Sequence, residues 1–233
     1  MHYIESLRTD YIKSMEILHG RSSLSSTATR KSKVREILID RDFKALSRWA
    51  TRDRAPLRIL TMLLFDDDPL VHWRAVEGIG KTALQEALDN PEKVRKQIRN
   101  YLWMMNDESG ALCHRAPEAI GEILANVPEF LPEFGRILPN FLWEEPFERG
   151  TRWAMYRLVT TQLESMEMYE RCIGDLLKSL ENEDDIIRGY SMLILGALDD
   201  DEVGPDIEFP EFKPAKVPYY DYHSGELKEV TVA

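Results

Sequence analysis

The chain has 233 residues, 43% of them hydrophobic, and a formal net charge of −11, enough apolar material for one large domain or two small ones without cofactor or crosslink. No run approaches the length of a membrane span, Met1–Arg8 show no basic leader before an apolar stretch, and Cys113 and Cys172 lie 59 residues apart without metal-ligand spacing. A soluble cytoplasmic protein with buried free thiols is expected, with no metal site and no cofactor. The charge is uneven: residues 1–58 carry 13 Lys/Arg against 7 Asp/Glu, and the remainder 17 against 34. An acidic body repels phosphates, which argues against nucleic acid as a partner everywhere except the basic N-terminal quarter.

In chain order, residues 1–20 read as a capping helix, with Ile4, Leu7, Tyr11, Met15 and Leu18 at three-to-four spacing and a stop at Gly20. Residues 21–33, rich in Ser, Thr, Arg and Lys, read as a mobile basic linker. A helical region follows over 34–200. Phe43, Leu46 and Trp49–Ala50 share a face, Pro56 opens the next helix, and Asp68-Pro69 and Asn90-Pro91 each supply an N-cap followed by a first-turn proline. Further helices are expected at about 109–125, 129–143, 147–162, 167–180 and 184–198. Pro117 and Pro139 fall inside apolar-periodic stretches and predict kinks or a divided helix. Residues 201–233 begin as an acidic, proline-punctuated tail, after which Val217–Tyr222 and Leu227–Val232 flank a tight turn and predict a β-hairpin. Because an isolated hairpin is marginal in water, it is expected to dock on the last helices or on a neighbouring molecule.

One phrase organises this helical region. Trp73-Arg-Ala-Val-Glu-Gly-Ile-Gly80 returns as His114-Arg-Ala-Pro-Glu-Ala-Ile-Gly121, and weaker echoes follow at Arg152–Val159 and Gly189–Gly196. The closing positions 80, 121, 159 and 196 are 41, 38 and 37 residues apart. A period near 40 with helical patterning predicts stacked helix pairs. The expected fold is all-α, a right-handed α-α superhelix of about four helix pairs with a short C-terminal hairpin.

The first copy with its lead-in, Asp68-Pro-Leu-Val-His-Trp-Arg-Ala-Val-Glu-Gly-Ile-Gly80, resembles the Asp-Pro-x-Val-Arg-x-x-Ala-x-x-x-Leu-Gly pattern of HEAT repeats. Its flavour is that of the short HEAT-like repeats first associated with phycobilisome lyases. Residues 102–121 are also similar to prokaryotic HEAT-repeat proteins of unassigned activity. The resemblance implies a fold and a binding habit, not a reaction. At the family's arginine position this chain has His72 and Cys113, with Arg188 matching in the last copy.

No catalytic constellation is found. Gly78-Ile-Gly-Lys-Thr82 imitates the end of a P-loop, but position 75 is alanine and a helix stands where the loop needs a strand; Gly80 and Gly121 are expected to close their helices as C-caps. His-Glu-x-x-His is absent, as are the repeated His-Glu pairs on which deoxyhypusine hydroxylase, an enzyme built on HEAT-like repeats, depends. Adjacent Cys113 and His114 diverge by about 100° on a helix and do not form a nucleophile–base pair.

What remains is the octad face turned away from the core. With Val71, Ala75, Gly78 and Ile79 inward, Trp73 and Glu77 point outward with Arg74 flanking; His114, Glu118 and Arg115 take those places in the second copy, and Arg152, Tyr156 and Trp153 in the third. Stacked repeats would align these nine residues as a column suited to another protein or peptide. A non-catalytic scaffold is therefore expected, with self-association through the hairpin as a further partner class. The alternative is a handler of a small ligand or tetrapyrrole, as the lyase resemblance implies, with Arg74, His114 and Arg115 meeting an anionic group. A third reading is nucleic-acid binding by the basic N-terminal quarter.

Overall fold

The computed structural model describes residues 26–53, 55–106, 112–162, 164–198 and 210–233. Among these residues the chain forms eleven α-helices and one hairpin. Helix α1 covers 26–39, followed by α2 (Phe43–Ala50), α3 (Pro56–Leu63), α4 (Pro69–Asp89), α5 (Pro91–Met104) and α6 (Ala116–Asn126). Then come α7 (Leu131–Phe134), α8 (Glu148–Val159), α9 (Glu164–Glu170), α10 (Ile173–Lys178) and α11 (Asp185–Leu198), with 3-10 turns at Pro128–Phe130, Gly135–Phe141 and Ser179–Glu181. Strands β1 (Ala215–Asp221) and β2 (Glu226–Val232) pair antiparallel, with Ala215 opposite Val232 and Asp221 opposite Glu226. None of the described helices is long and apolar enough to cross a membrane.

The expected start signals operate as capping chemistry. Asp68 accepts a bond from the Leu70 amide at 2.9 Å ahead of Pro69, and Asn90 accepts one from the Lys93 amide at 3.2 Å ahead of Pro91. The side chains satisfy amides that a helix start leaves free, and the prolines stand where no donor is needed.

Helices α4, α6, α8 and α11 pack side by side in chain order, with α3, α5, the 3-10 turn at Gly135–Phe141 and α10 against them. Side-chain bonds join neighbouring units at separations close to the repeat period. Arg35 holds Asp66 across 31 residues, Arg157 holds Glu122 across 35, and Thr61 meets Tyr101 at 2.7 Å across 40.

The octad glycines do a different job from the expected one. Helix α4 runs on to Asp89 and α6 to Asn126, so neither Gly80 nor Gly121 is a cap. They lie where helices cross: a Cβ on Gly80 would stand 2.7 Å from the Glu122 side chain, and one on Gly121 would stand 2.6 Å from Ala154 Cβ. Only glycine permits backbones this close.

Three other expectations change. Pro117 lies in the first turn of α6 and kinks nothing, because the helix starts at Ala116 instead of near 109. Pro139 does break regularity, falling in a 3-10 turn of the segment expected as one helix. Residues 26–33, read as linker, are the first half of α1, because Arg30 pairs with Asp53 and the same helix buries Val34 and Leu38; tertiary contacts override a weak local pattern. The rest of that linker, the capping helix and most of the acidic tail lie outside the described residues.

Candidate functional site

The column expected to face solvent is largely interior. Trp73, Glu77, Glu118, Arg152 and Trp153 are at most 5% exposed, Arg74, Arg115 and Tyr156 are half-buried, and only His114 is exposed. For Trp73 and Glu77 the cover is the hairpin. Strand β1 packs on α11, where a Cβ on Gly189 would stand 2.5 Å from Val217, and it continues across the octad helices. Tyr220 donates to Glu77 and Tyr222 to Glu122, each at 2.6 Å, and Tyr222 lies under the Arg157 guanidinium at 3.9 Å.

The turn of the hairpin is held by Arg41 and by Arg74 of α4. Arg41 donates to the carbonyls of Tyr222 and His223 and reaches Glu77 at 3.3 Å. Arg74 donates to the Gly225 carbonyl at 3.1 Å and to that of Leu38 at the end of α1. Both arginines are thus committed to backbone oxygens within the chain. Burial pushes the carboxyl of Glu122 up, opposed by Arg157 and by the bonds it accepts from Arg157, Tyr222 and Asn126.

Arg152 and Tyr156 leave the candidate set as well. The Arg152 guanidinium is fully buried and donates to Ser191 Oγ at 2.9 Å, Ser179 Oγ at 2.7 Å and the Leu142 carbonyl at 2.7 Å. With no carboxylate among these partners, burial lowers its pKa to about 10. It fastens α8 to α11 and to the preceding loop. Tyr156 packs against Tyr190, 6.4 Å between ring centroids.

What the hairpin leaves open is a cleft of two adjoining chambers. The inner one, about 230 Å³, is walled by Trp73, Trp153, Tyr190 and His72 and roofed by Pro218 and Leu227 of the hairpin. The outer one, about 430 Å³, is lined by His114, Glu145, Glu148 and Asp184, among others, and Arg115, Glu118 and Arg149 border both. The indoles of Trp73 and Trp153 are 5.0 Å apart, Trp73 lies parallel to Tyr220 at 6.2 Å, and the Arg115 guanidinium is 5.6 Å from the Trp73 ring.

Two of these lining side chains each hold a buried polar atom without a hydrogen-bond partner among the described residues: Glu118 Oε2 and His72 Nε2. Glu118 binds Arg115 through Oε1 at 3.0 Å, while its other oxygen abuts Gly150, where a Cβ would stand only 2.3 Å away. Burial pushes the Glu118 carboxyl up against the pull of Arg115. Burial, then Arg115, pushes His72 down to about 4, so its imidazole is neutral at pH 7. Buried polar groups are nearly always paired, and two unpaired ones on one cavity mark it out.

Comparison with known proteins adds little chemistry. No family profile matches the chain. An uncharacterized protein of Archaeoglobus fulgidus is 27% identical over 147 residues, spanning 63% of this chain and 75% of the archaeal one. The crystal structure of an engineered protein is similar over 73% of each chain, with a TM-score of 0.48 and 15% identity.

The sequence reading brings Trp73, His114, Arg115, Glu118 and Trp153 to this cleft and misses His72, Arg149 and Tyr190. His72 had a visible signal, since it replaces the arginine of the repeat pattern on the helix that carries Trp73. Tyr190 had one too, standing in the Gly189–Gly196 echo at the place of Arg74, Arg115 and Trp153, whereas Arg149 carries none, lying on α8 outside the octads.

Proposed function

We propose that the chain is a non-catalytic, HEAT-like helical-repeat protein, a right-handed α-α superhelix of about four pairs, that engages another protein through the cleft beneath the hairpin. The repeat period and the bonds between side chains 31 to 40 residues apart support the architecture. One observation carries the binding role: the unpaired Glu118 Oε2 and His72 Nε2 on an aromatic-walled cavity. The partner is a different protein rather than a second copy through the hairpin, because the aromatic face and turn of that hairpin are already bonded to α4 and α6. Three arginines that an anionic ligand would use are already engaged. Arg115 faces Glu118, Arg149 faces Asp184, and Arg74 holds carbonyl oxygens. In the basic N-terminal quarter Arg30, Arg35 and Arg41 face Asp53, Asp66 and Glu77, which takes three of its bases away from phosphates.

The test is co-purification from the native host, with crosslinking to place the partner. A Glu145→Ala, Arg149→Ala variant alters only exposed rim side chains, so it is expected to melt as the wild type does while losing about tenfold in partner affinity. A partner retained in full by this variant, or crosslinked away from the cleft, would overturn the reading.

A further inference from the structure

We infer that the cleft takes an organic cation, a guanidinium or alkylammonium head on an apolar stem, as on an arginine or lysine side chain. The inference deepens the proposed binding role and rests on it. The first ground is charge. Four carboxylates line the outer chamber, those of Glu118, Glu145, Glu148 and Asp184, against two guanidiniums, Arg115 and Arg149. Arg115 is held by Glu118 at 3.0 Å and Arg149 by Asp184 with Nε at 2.7 Å. Among the described residues Glu145 and Glu148 have no ion pair, and one oxygen of Glu118 has no partner. An incoming anion would meet surplus negative charge and two neutralised bases, whereas a cation finds the opposite.

The second ground is the wall behind that carboxylate. Trp73, Trp153 and Tyr190 line the inner chamber, and the molecule already places one guanidinium, that of Arg115, 5.6 Å from the Trp73 ring. Aromatic faces attract such cations, most strongly where water is excluded. The third ground is His72. Being neutral, it adds no repulsion, and its Nε2 lacks a partner. A head seated between Trp73, Trp153 and Glu118 leaves the stem to cross the outer chamber past Pro146 and Ile187, with Glu145 and Glu148 steering the approach. The acidity of the chain, −11 overall, acts in the same sense.

Calorimetric titration of the full chain with two probes tests this: agmatine, a free guanidinium, and a capped hexapeptide with one central arginine, with its glutamine counterpart as control. Binding of the arginine peptide but not the glutamine one assigns a partner's side chain, and binding of agmatine alone assigns a free amine. Glu118→Gln keeps the shape and is expected to weaken binding at least about tenfold. The variant Glu145→Gln, Glu148→Gln, compared with the wild type in thermal melts, is expected to weaken it less and to flatten its salt dependence. No binding of either probe at about 10 mM, preferential binding of inorganic phosphate, or full affinity in Glu118→Gln would overturn the inference. A native partner captured equally by wild type and Glu118→Gln sinks the cation alone, whereas cation binding with no protein partner sinks the partner reading alone.

Discussion

Tyr220 and Glu77 are 143 residues apart and share a 2.6 Å hydrogen bond inside the protein, the hydroxyl donating to the carboxylate. The bond ties the last β-structure to the first octad, and Arg41 and Lys81 lie against the same carboxylate at 3.3 and 3.4 Å. Burial makes such a cluster cooperative: losing Tyr220 leaves Glu77 with its two cations, whereas losing the carboxylate leaves the buried Tyr220 hydroxyl without this acceptor. A double-mutant cycle of Tyr220→Phe and Glu77→Gln is expected to give a coupling of about 1–3 kcal/mol. Additive effects in chemical denaturation would mean that the two side chains do not meet.

Arg41 has φ +52°, a conformation that favours glycine, yet its guanidinium donates to two hairpin carbonyls and to Glu77. Relief of backbone strain is worth about 1 kcal/mol, whereas bonds made by a charged donor are worth more in sum. Arg41→Gly is therefore expected to destabilise by about 1–3 kcal/mol, and a stabilised variant would contradict the role given to this side chain.

Two glycine substitutions should act with opposite sign. Gly150→Ala forces a methyl to within 2.3 Å of Glu118 Oε2, whereas Gly174 in α10 has open space around its Cβ position. Gly174→Ala is expected to stabilise by a few tenths to about 1 kcal/mol. Gly150→Ala should cost about 1–3 kcal/mol and disturb the cleft. Thermal melts of the pair give the comparison, and equal effects would refute the close approach.

Acid should weaken the fold through His72. Its folded pKa of about 4 lies below the ordinary value of 6.5, so the unfolded chain binds the proton more readily. The stability this gives is complete above pH 6.5 and is lost as pH falls towards 4, by up to about 3 kcal/mol. Glu118 and Glu122, pushed up by burial, act in the opposite sense. His72→Gln is expected to flatten the loss between pH 6.5 and 4 in urea titrations, and an unchanged slope would exclude His72 as its source.

Several helix starts were legible because their signals are local. Asp68-Pro69 and Asn90-Pro91 start helices by capping, and the repeat period reappears in bonds such as Thr61 with Tyr101. The face of the octads was not legible. Helical spacing places Trp73 and Glu77 opposite Ala75 and Ile79, but only tertiary structure shows that a hairpin from the far end of the chain lies over them. A tryptophan and a glutamate facing away from the helical core signalled that something covers them; what covers them is a matter of contacts over more than 100 residues. Likewise Gly80 and Gly121 look like helix ends in one dimension and are helix crossings in three.

The burial of the octad face under the hairpin is tested most directly by native-state hydrogen exchange over residues 215–232 and over α4. If Tyr220, Tyr222 and the turn are fastened as described, the paired amides of β1 and β2 should exchange with protection close to that of α4, reporting one cooperative unit. Hairpin amides that exchange at unfolded-chain rates while α4 and α6 stay protected would show an open octad face and contradict the closed one.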